Sequence, residues 1–408
     1  MDNYNNFDDR IKEKDSAYRS GLVTGLLMGI AIFLLLQVGM SILTRYVAKK
    51  QNSDNVLTKD MDSVSDKIKR IESYLDRYYM EDIDEEKMID GLYYGMTASL
   101  GDPYTGYYNE EGYKKLSESG EGEYCGIGVT VSQDSKTGDI VIARVYSDSP
   151  AMEAGIQKGD IIYSVNDERV EDMSTEELVS LIVGKENTSF SMSVLRDKEI
   201  VDFSLTRRNV IIDTVSYEML ENNIGYVKIE GFDGVTTKQA EDAIHNLQTQ
   251  GMKGIIVDLR DNPGGRLDTL TDIANMFLPK DSLIIYSETK EGKKTEYFTE
   301  NEAILPDMPM VILVNEESAS ASEAFSGAMQ YYERADIVGT TTFGKGIMQS
   351  IFPLGDGTAL KITIGKYYLP GGDNIHKKGI TPDYEVEASE DDETDLQLDK
   401  ALELLNGH

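Results

Sequence analysis

Tryptophan is absent from this 408-residue chain, and cysteine and histidine are nearly so, with one and three residues. A single cysteine, Cys125, permits no internal disulfide. Together with three histidines it leaves too few soft ligands for a zinc or iron-sulfur centre, so any catalysis is expected to run without a metal or another cofactor. Positive charge is also scarce: 40 Lys and Arg stand against 73 Asp and Glu, a formal net charge of -33. Proteins that track nucleic acid draw their affinity from Lys and Arg replacing counterions, so nucleic acid is excluded as a partner. What remains is ample for packed cores, with 40% hydrophobic residues and a length that suggests two to three domains at about 150 residues each.

One long apolar run breaks the otherwise charged pattern. Gly21 to Leu43 carries no charge over 23 residues and is bounded by Arg19 and by Arg45, Lys49 and Lys50. At ~1.5 Å per residue it can cross a hydrocarbon layer of ~30 Å. No small-x-small cleavage site follows, so an uncleaved anchor is expected rather than a signal peptide. Basic residues are balanced across the run and do not orient it. The head of 20 residues ahead of a large body favours a cytoplasmic head and an extracytoplasmic body in the cell membrane. After the anchor, Met61, Val64, Ile68, Ile71, Leu75 and Tyr78 recur at three and four residues. That stripe suits a helix lying on its own domain or a stalk pairing two copies into a homodimer. Ile83 to Leu100 continues helical until Gly101-Asp102-Pro103 breaks it.

Between Glu123 and Leu205 the pattern turns to short strands at 128–132, 140–145, 161–165, 190–195 and 201–205, with helices at 149–154 and 174–183, the second opened by a Ser174 cap. Within it, Tyr124-Cys-Gly-Ile-Gly-Val129 and the stretch from Ser149-Pro-Ala-Met through Gly159-Asp to Asn166 resemble a circularly permuted PDZ domain of the bacterial kind. The resemblance implies that backbone N–H groups of Gly126, Ile127 and Gly128 hold the C-terminal carboxylate of a peptide that adds as a strand. From Asn209 onward apolar strands alternate with helices of 10 to 15 residues, the signature of βαβ units in an α/β core. Leu398, Ala401, Leu402, Leu404 and Leu405 form a closing amphipathic helix behind an acidic run.

Three stretches set reactive or small residues at the ends of expected strands: Asp258-Leu-Arg-Asp-Asn-Pro-Gly-Gly265, Asn315-Glu-Glu-Ser-Ala-Ser-Ala-Ser-Glu323 and Gly339-Thr-Thr-Thr-Phe-Gly-Lys-Gly-Ile-Met-Gln349. Ligands in α/β sheets sit at the carboxyl ends of strands, so all three are expected to share a crevice. A serine there would lie at a helix N-terminus, where unpaired N–H groups favour a developing oxyanion; the plainer role of Ser318, Ser320 or Ser322 is a helix cap. No histidine is a convincing base, because His245 is mid-helix, His408 is terminal and His376 lies in a Gly/Lys-rich loop. Lys345, between two glycines in an uncharged stretch, can serve if desolvation keeps it neutral. A phosphate loop is disfavoured because Gly346 follows the lysine where Ser or Thr would bind magnesium. The acidic pairs Asp258/Asp261 and Asp268/Asp272 are read as structural, with no metal assigned, and Arg260 as a buried ion-pair partner.

Ser318-Ala-Ser-Ala-Ser-Glu323, Thr342-Phe-Gly-Lys-Gly346 with Gln349, the 258–265 stretch and Gly379-Ile-Thr-Pro-Asp383, in that family's order, resemble the carboxy-terminal processing (tail-specific) proteases. The resemblance runs from about Tyr74 to the closing helix. It implies Ser320 as nucleophile, Lys345 as base and Gln349 as the group orienting it, with oxyanion donors in the N–H of Ala321 and of Gly264 or Gly265. It also implies a ClpP/crotonase type of core with an inserted PDZ domain. The expected organisation is a head (1–20), an anchor (21–43), a helical stalk and first part of the protease body (44–117), a PDZ domain (118–206) and an α/β protease core (207–408). The expected function is a membrane-anchored serine endopeptidase that cuts proteins near their C-termini, with the PDZ domain capturing the tail and gating activity, and with an adaptor protein as a further partner. The competing readings are a catalytically silent PDZ scaffold that recruits C-termini at the membrane and a structural anchor acting through the stalk.

Overall fold

Runs of branched aliphatic residues bounded by glycine or proline, such as Gly254-Ile-Ile-Val257 and Met310-Val-Ile-Leu-Val314, have no polar face to offer water and are buried on both sides of a sheet. They form the centre of the fold in a computed structural model that describes residues 60–134, 137–171, 173–388 and 394–407. The chain divides into two units, residues 1–88 and 89–408. In the first, the expected helix spans Met61–Tyr78, and Met61, Ile68, Ile71, Leu75 and Tyr78 of its stripe stay exposed. The expected anchor lies outside the described residues. Among the described residues no helix is long and apolar enough to cross a membrane.

The second unit holds a PDZ-like sheet built from β1 (Val129–Gln133), β2 (Ile140–Val145), β3 (Ile161–Val165), β4 (Ser189–Arg196) and β5 (Glu199–Thr206), in that order and antiparallel throughout. Two short helices cover it, α1 (Pro150–Ala154) and α2 (Thr175–Ile182). The Ser174 cap is present: its hydroxyl accepts the Glu177 N–H while the Glu177 carboxylate accepts the Ser174 N–H. Strand β1 lies at the sheet edge, with β2 on its other side.

The core is a six-stranded sheet of β6 (Val215–Met219), β7 (Ile224–Ile229), β8 (Gly254–Asp258), β9 (Met310–Val314), β10 (Asp336–Gly339) and β11 (Tyr384–Glu385). All neighbours are parallel except β6 and β7. Helices α3 (Thr236–Thr249), α4 (Leu267–Asn275) and α5 (Ala321–Tyr331) supply apolar side chains to one buried cluster, and the closing helix α6 (Leu396–Asn406) to another. Asp395, last of the acidic run, caps α6 through the Leu398 N–H. A second, antiparallel sheet of Gly106–Tyr108, Leu283–Thr289, Lys294–Phe298, Ile347–Pro353 and Ala359–Tyr368, absent from the sequence reading, stands beside this α/β core.

Phe325 on α5 is completely buried, with the rings of Phe232 and Phe277 at 6.4 and 5.8 Å. Truncating such a side chain leaves a cavity that costs about 3–5 kcal/mol. Phe325→Ala is therefore expected to lower the thermal midpoint by several degrees in a calorimetric scan.

Candidate active site

The parallel strands deliver three loops to one end of the sheet, and buried asparagine and glutamate side chains lock them together. Asn262, in the turn after β8, is wholly buried. Its Nδ2 donates to the Ile229 carbonyl at 2.8 Å and its Oδ1 accepts the Gly264 N–H at 2.8 Å. Its carbonyl accepts the Ala319 N–H at 2.9 Å and the Ser322 hydroxyl at 3.0 Å. The 258–265 turn is thereby fastened to the serine run. Gly264 sits at φ +95°, and a Cβ there would meet Ala319 O, Ala321 N and Ser320 Cβ at 2.6 to 2.8 Å, so only glycine permits this approach. The Gly264 N–H is already engaged by Asn262, whereas the Gly265 N–H takes no acceptor among the described residues.

The structure separates the three serines that the sequence left open. Ser318 and Ser322 are buried, with hydroxyls donating to the carbonyls of Leu259 and Asn262. Ser320 alone is partly exposed and faces a cavity of about 1090 Å³. It immediately precedes α5 at φ +56° and ψ -109°, a region that costs a non-glycine residue roughly 1–3 kcal/mol and that clusters at functional sites. Two buried groups hold it there: its N–H donates to Glu323 at 2.8 Å, and its carbonyl accepts the Tyr367 hydroxyl at 3.0 Å.

Glu323 joins the Ser320 and Lys345 segments. Its buried carboxylate accepts from the Ser320 N–H, the Thr342 hydroxyl, the Gly344 N–H and the Lys345 N–H at 2.7 to 2.8 Å. Glu323→Ala would leave four donors without that acceptor, at roughly 1–3 kcal/mol for each that stays buried. The expected outcome is a clear drop in thermal midpoint, read by calorimetry. Gly379-Ile-Thr-Pro-Asp383 completes the frame: the Ile380 N–H donates to the Thr342 hydroxyl at 2.7 Å, and Asp383 accepts from the Ile337 N–H at 2.9 Å.

Lys345 and Gln349 line the same cavity as Ser320, Ala321, Gly264 and Gly265. Burial, reinforced by the neighbouring Lys361 and opposed by Glu323, holds the Lys345 ammonium below the ordinary lysine range. Its Nζ lies over the Tyr104 ring at 4.8 Å from the centroid, and no hydrogen bond joins it to Ser320 Oγ or to Gln349. The Gln349 Nε2 is buried without a partner. The structure therefore gathers Ser320, Lys345, Gln349, Ala321, Gly264 and Gly265 in one cavity, with the Lys345 amine turned onto an aromatic ring. Arg260 is the ion-pair residue expected of it, bound to buried Asp258 at 2.6 Å and to Asp395 at 2.8 Å. Gly126, Ile127 and Gly128 are buried in the PDZ-like part and do not line this cavity.

Three contributors escaped the sequence reading. Glu323 carried a signal, an acidic residue three positions after a cap serine. Tyr367 and Tyr104 carried none, since each reaches the site from a distant part of the chain.

The chain matches the model for Peptidase family S41 over residues 223–386, a PDZ domain over 141–196 and the Activating protease CtpB N-terminal domain over 29–112. It is 37% identical over 327 residues to the carboxy-terminal processing protease CtpA of Bacillus subtilis, covering 80% of this chain and 70% of that protein. It is 36% identical over 324 residues to a carboxyl-terminal-processing protease of Synechocystis, covering 76% of this chain and 75% of that one. Among solved structures, a putative S41 protease from Bacteroides fragilis superposes with a TM-score of 0.51 at 18% identity, over 76% of this chain and 87% of that one, a likeness of fold.

Proposed function

Because this chain belongs to the carboxy-terminal processing proteases of peptidase family S41, PDZ-containing serine peptidases, we propose that it cleaves proteins near their C-termini by a Ser320–Lys345 dyad. Neutral Lys345 Nζ leaves the Tyr104 ring and takes the proton of Ser320 Oγ as the oxygen attacks the scissile carbonyl. The N–H groups of Ala321, at the first position of α5, and of Gly265 receive the oxyanion, and the lysine ammonium then protonates the departing amine. Water enters by the reverse of these steps and frees Ser320. Gln349, with an amide free to pair, orients the amine. The choice of Gly265 over Gly264 rests on the latter's N–H being engaged by Asn262.

The observation that carries this reading is that Ser320, alone of the three serines in its run, opens onto the cavity holding Lys345. Incubation of the full chain with an unfolded protein, with products read by mass spectrometry, tests it. Tails shortened by the native chain and left intact by Ser320→Ala support it; equal cutting by both contradicts it.

The finer parts of the reading belong to the same proposal. The α/β core is of the ClpP/crotonase type, and the PDZ part (118–206) captures the substrate tail and gates the cavity. Residues 21–43 anchor the chain once in the cell membrane with the body outside the cytoplasm. The exposed stripe of Met61–Tyr78 favours stalk pairing into a dimer, and an adaptor protein delivers substrate. Retention of the full chain in membranes after alkaline carbonate washing checks the anchor.

A further inference from the structure

The loop expected to hold a peptide's terminal carboxylate is already occupied. The N–H groups of Gly128 and Val129 both donate to the Tyr124 hydroxyl oxygen, each at 3.1 Å, and that hydroxyl lies 3.4 Å from the Val129 carbonyl, to which it donates. Two convergent N–H groups on one oxygen are what a carboxylate would meet in such a nest. The ring reaches this place by lying across Gly126: a Cβ on Gly126 would come within 2.5 Å of it. Gly126, Ile127 and Gly128 are buried while Tyr124 and Val129 are partly exposed, so the phenol covers the nest at its open side. Strand β1, which begins at Val129, is nonetheless an open sheet edge where an extended peptide can pair. Backbone for strand addition is thus available while the terminal pocket is filled from within.

We propose that Tyr124 is an intramolecular competitor for the substrate's C-terminal carboxylate, its hydroxyl standing in the carboxylate's place until a free tail displaces it. The inference rests on the PDZ part binding peptide tails. Burial raises the phenol's pKa to about 12, so the competitor stays neutral at physiological pH. Hydrogen bonds to an ionised acceptor are roughly twice as strong as neutral ones, which lets a carboxylate win. A site open only part of the time binds more weakly by that fraction. An open fraction of about one-tenth would weaken binding of the free acid about tenfold, a factor that corresponds to ~1.4 kcal/mol. A tail that ends in a neutral amide and pairs only along β1 does not need the nest and escapes the competition.

The test uses the full chain and a fluorescein-labelled octapeptide ending in alanine-valine, as the free acid and as the C-terminal amide, read by fluorescence anisotropy. Tyr124→Phe keeps the ring over Gly126 and removes only the oxygen. The free acid is expected to bind this variant about tenfold more tightly than the native chain, with the amide unchanged. For a cleavable substrate with a free tail, KM should fall and kcat stay the same. Unchanged or weaker binding of the free acid by Tyr124→Phe overturns the competitor and leaves tail binding standing. Binding of neither peptide by either chain overturns tail binding and the competitor with it. A second measurement leaves the fold intact: 3-fluorotyrosine placed at position 124 should shift its fluorine resonance at saturating free acid, and a resonance that stays put while the peptide binds overturns the proposal.

Discussion

Ser320→Gly is expected to abolish cleavage and at the same time make the protein more stable. The loss of activity follows from removing the only hydroxyl of the run that opens onto the cavity; losing a nucleophile of this kind costs roughly 10⁶-fold in a serine protease. The gain in stability follows from the backbone. At φ +56° and ψ -109° the Cβ of Ser320 is held where side chains are disfavoured, and glycine adopts that conformation freely. Relief of roughly 1–3 kcal/mol, reduced by up to about 1 kcal/mol of unfolded-chain entropy, raises the thermal midpoint by a few degrees. Ser320→Ala keeps the Cβ and should lose activity without the gain. Calorimetry of the two variants separates strain from chemistry. A Ser320→Gly chain less stable than native would mean that Ser320 is an ordinary cap.

Lys345→Met should reduce kcat by about 10³-fold or more while peptide binding and thermal midpoint stay close to native. General base catalysis contributes typically 10²–10⁴-fold, and in the proposed mechanism the same group also protonates the leaving amine. Methionine retains most of the apolar stem against the Tyr104 ring but offers no proton acceptor of use. The backbone N–H of residue 345 still donates to Glu323 in the variant, because that bond belongs to the main chain. The loop therefore keeps its anchorage and the loss is chemical. A loss confined to KM would show instead that the amine serves substrate binding.

Much of this arrangement could be read before any coordinates. Ile140–Val145 and Ile161–Val165 are found at the expected bounds, because each is an apolar run closed by a turn former. The convergence of three loops followed from the rule that parallel strands present their carboxyl ends together. The second sheet escaped for a physical reason. Lys294–Phe298 lies largely exposed and Ile347–Pro353 is partly buried, and both mix polar with apolar residues, so no strict alternation marks them. Gly106–Tyr108 finds its partner more than 250 residues away in Ala359–Tyr368, a pairing that periodicity cannot reveal. The same blindness hid Tyr367, which reaches Ser320 from that sheet. Helix α5 is buried nearly all round, and its small residues show no apolar stripe that would have announced that burial. Tyr124 passed unnoticed beside the glycine loop because occupation of a nest by a neighbouring side chain has no sequence signature.

The pH dependence of kcat/KM on one peptide substrate tests the dyad most directly. With Lys345 as the base, the rate should rise with pH through a single ionisation below 10.5, the ordinary lysine value, in the direction set by burial and by Lys361. The residual activity of Lys345→Met should lack that rise. A native chain whose rate is flat, or which shares its profile with Lys345→Met, would place the base elsewhere and contradict the account.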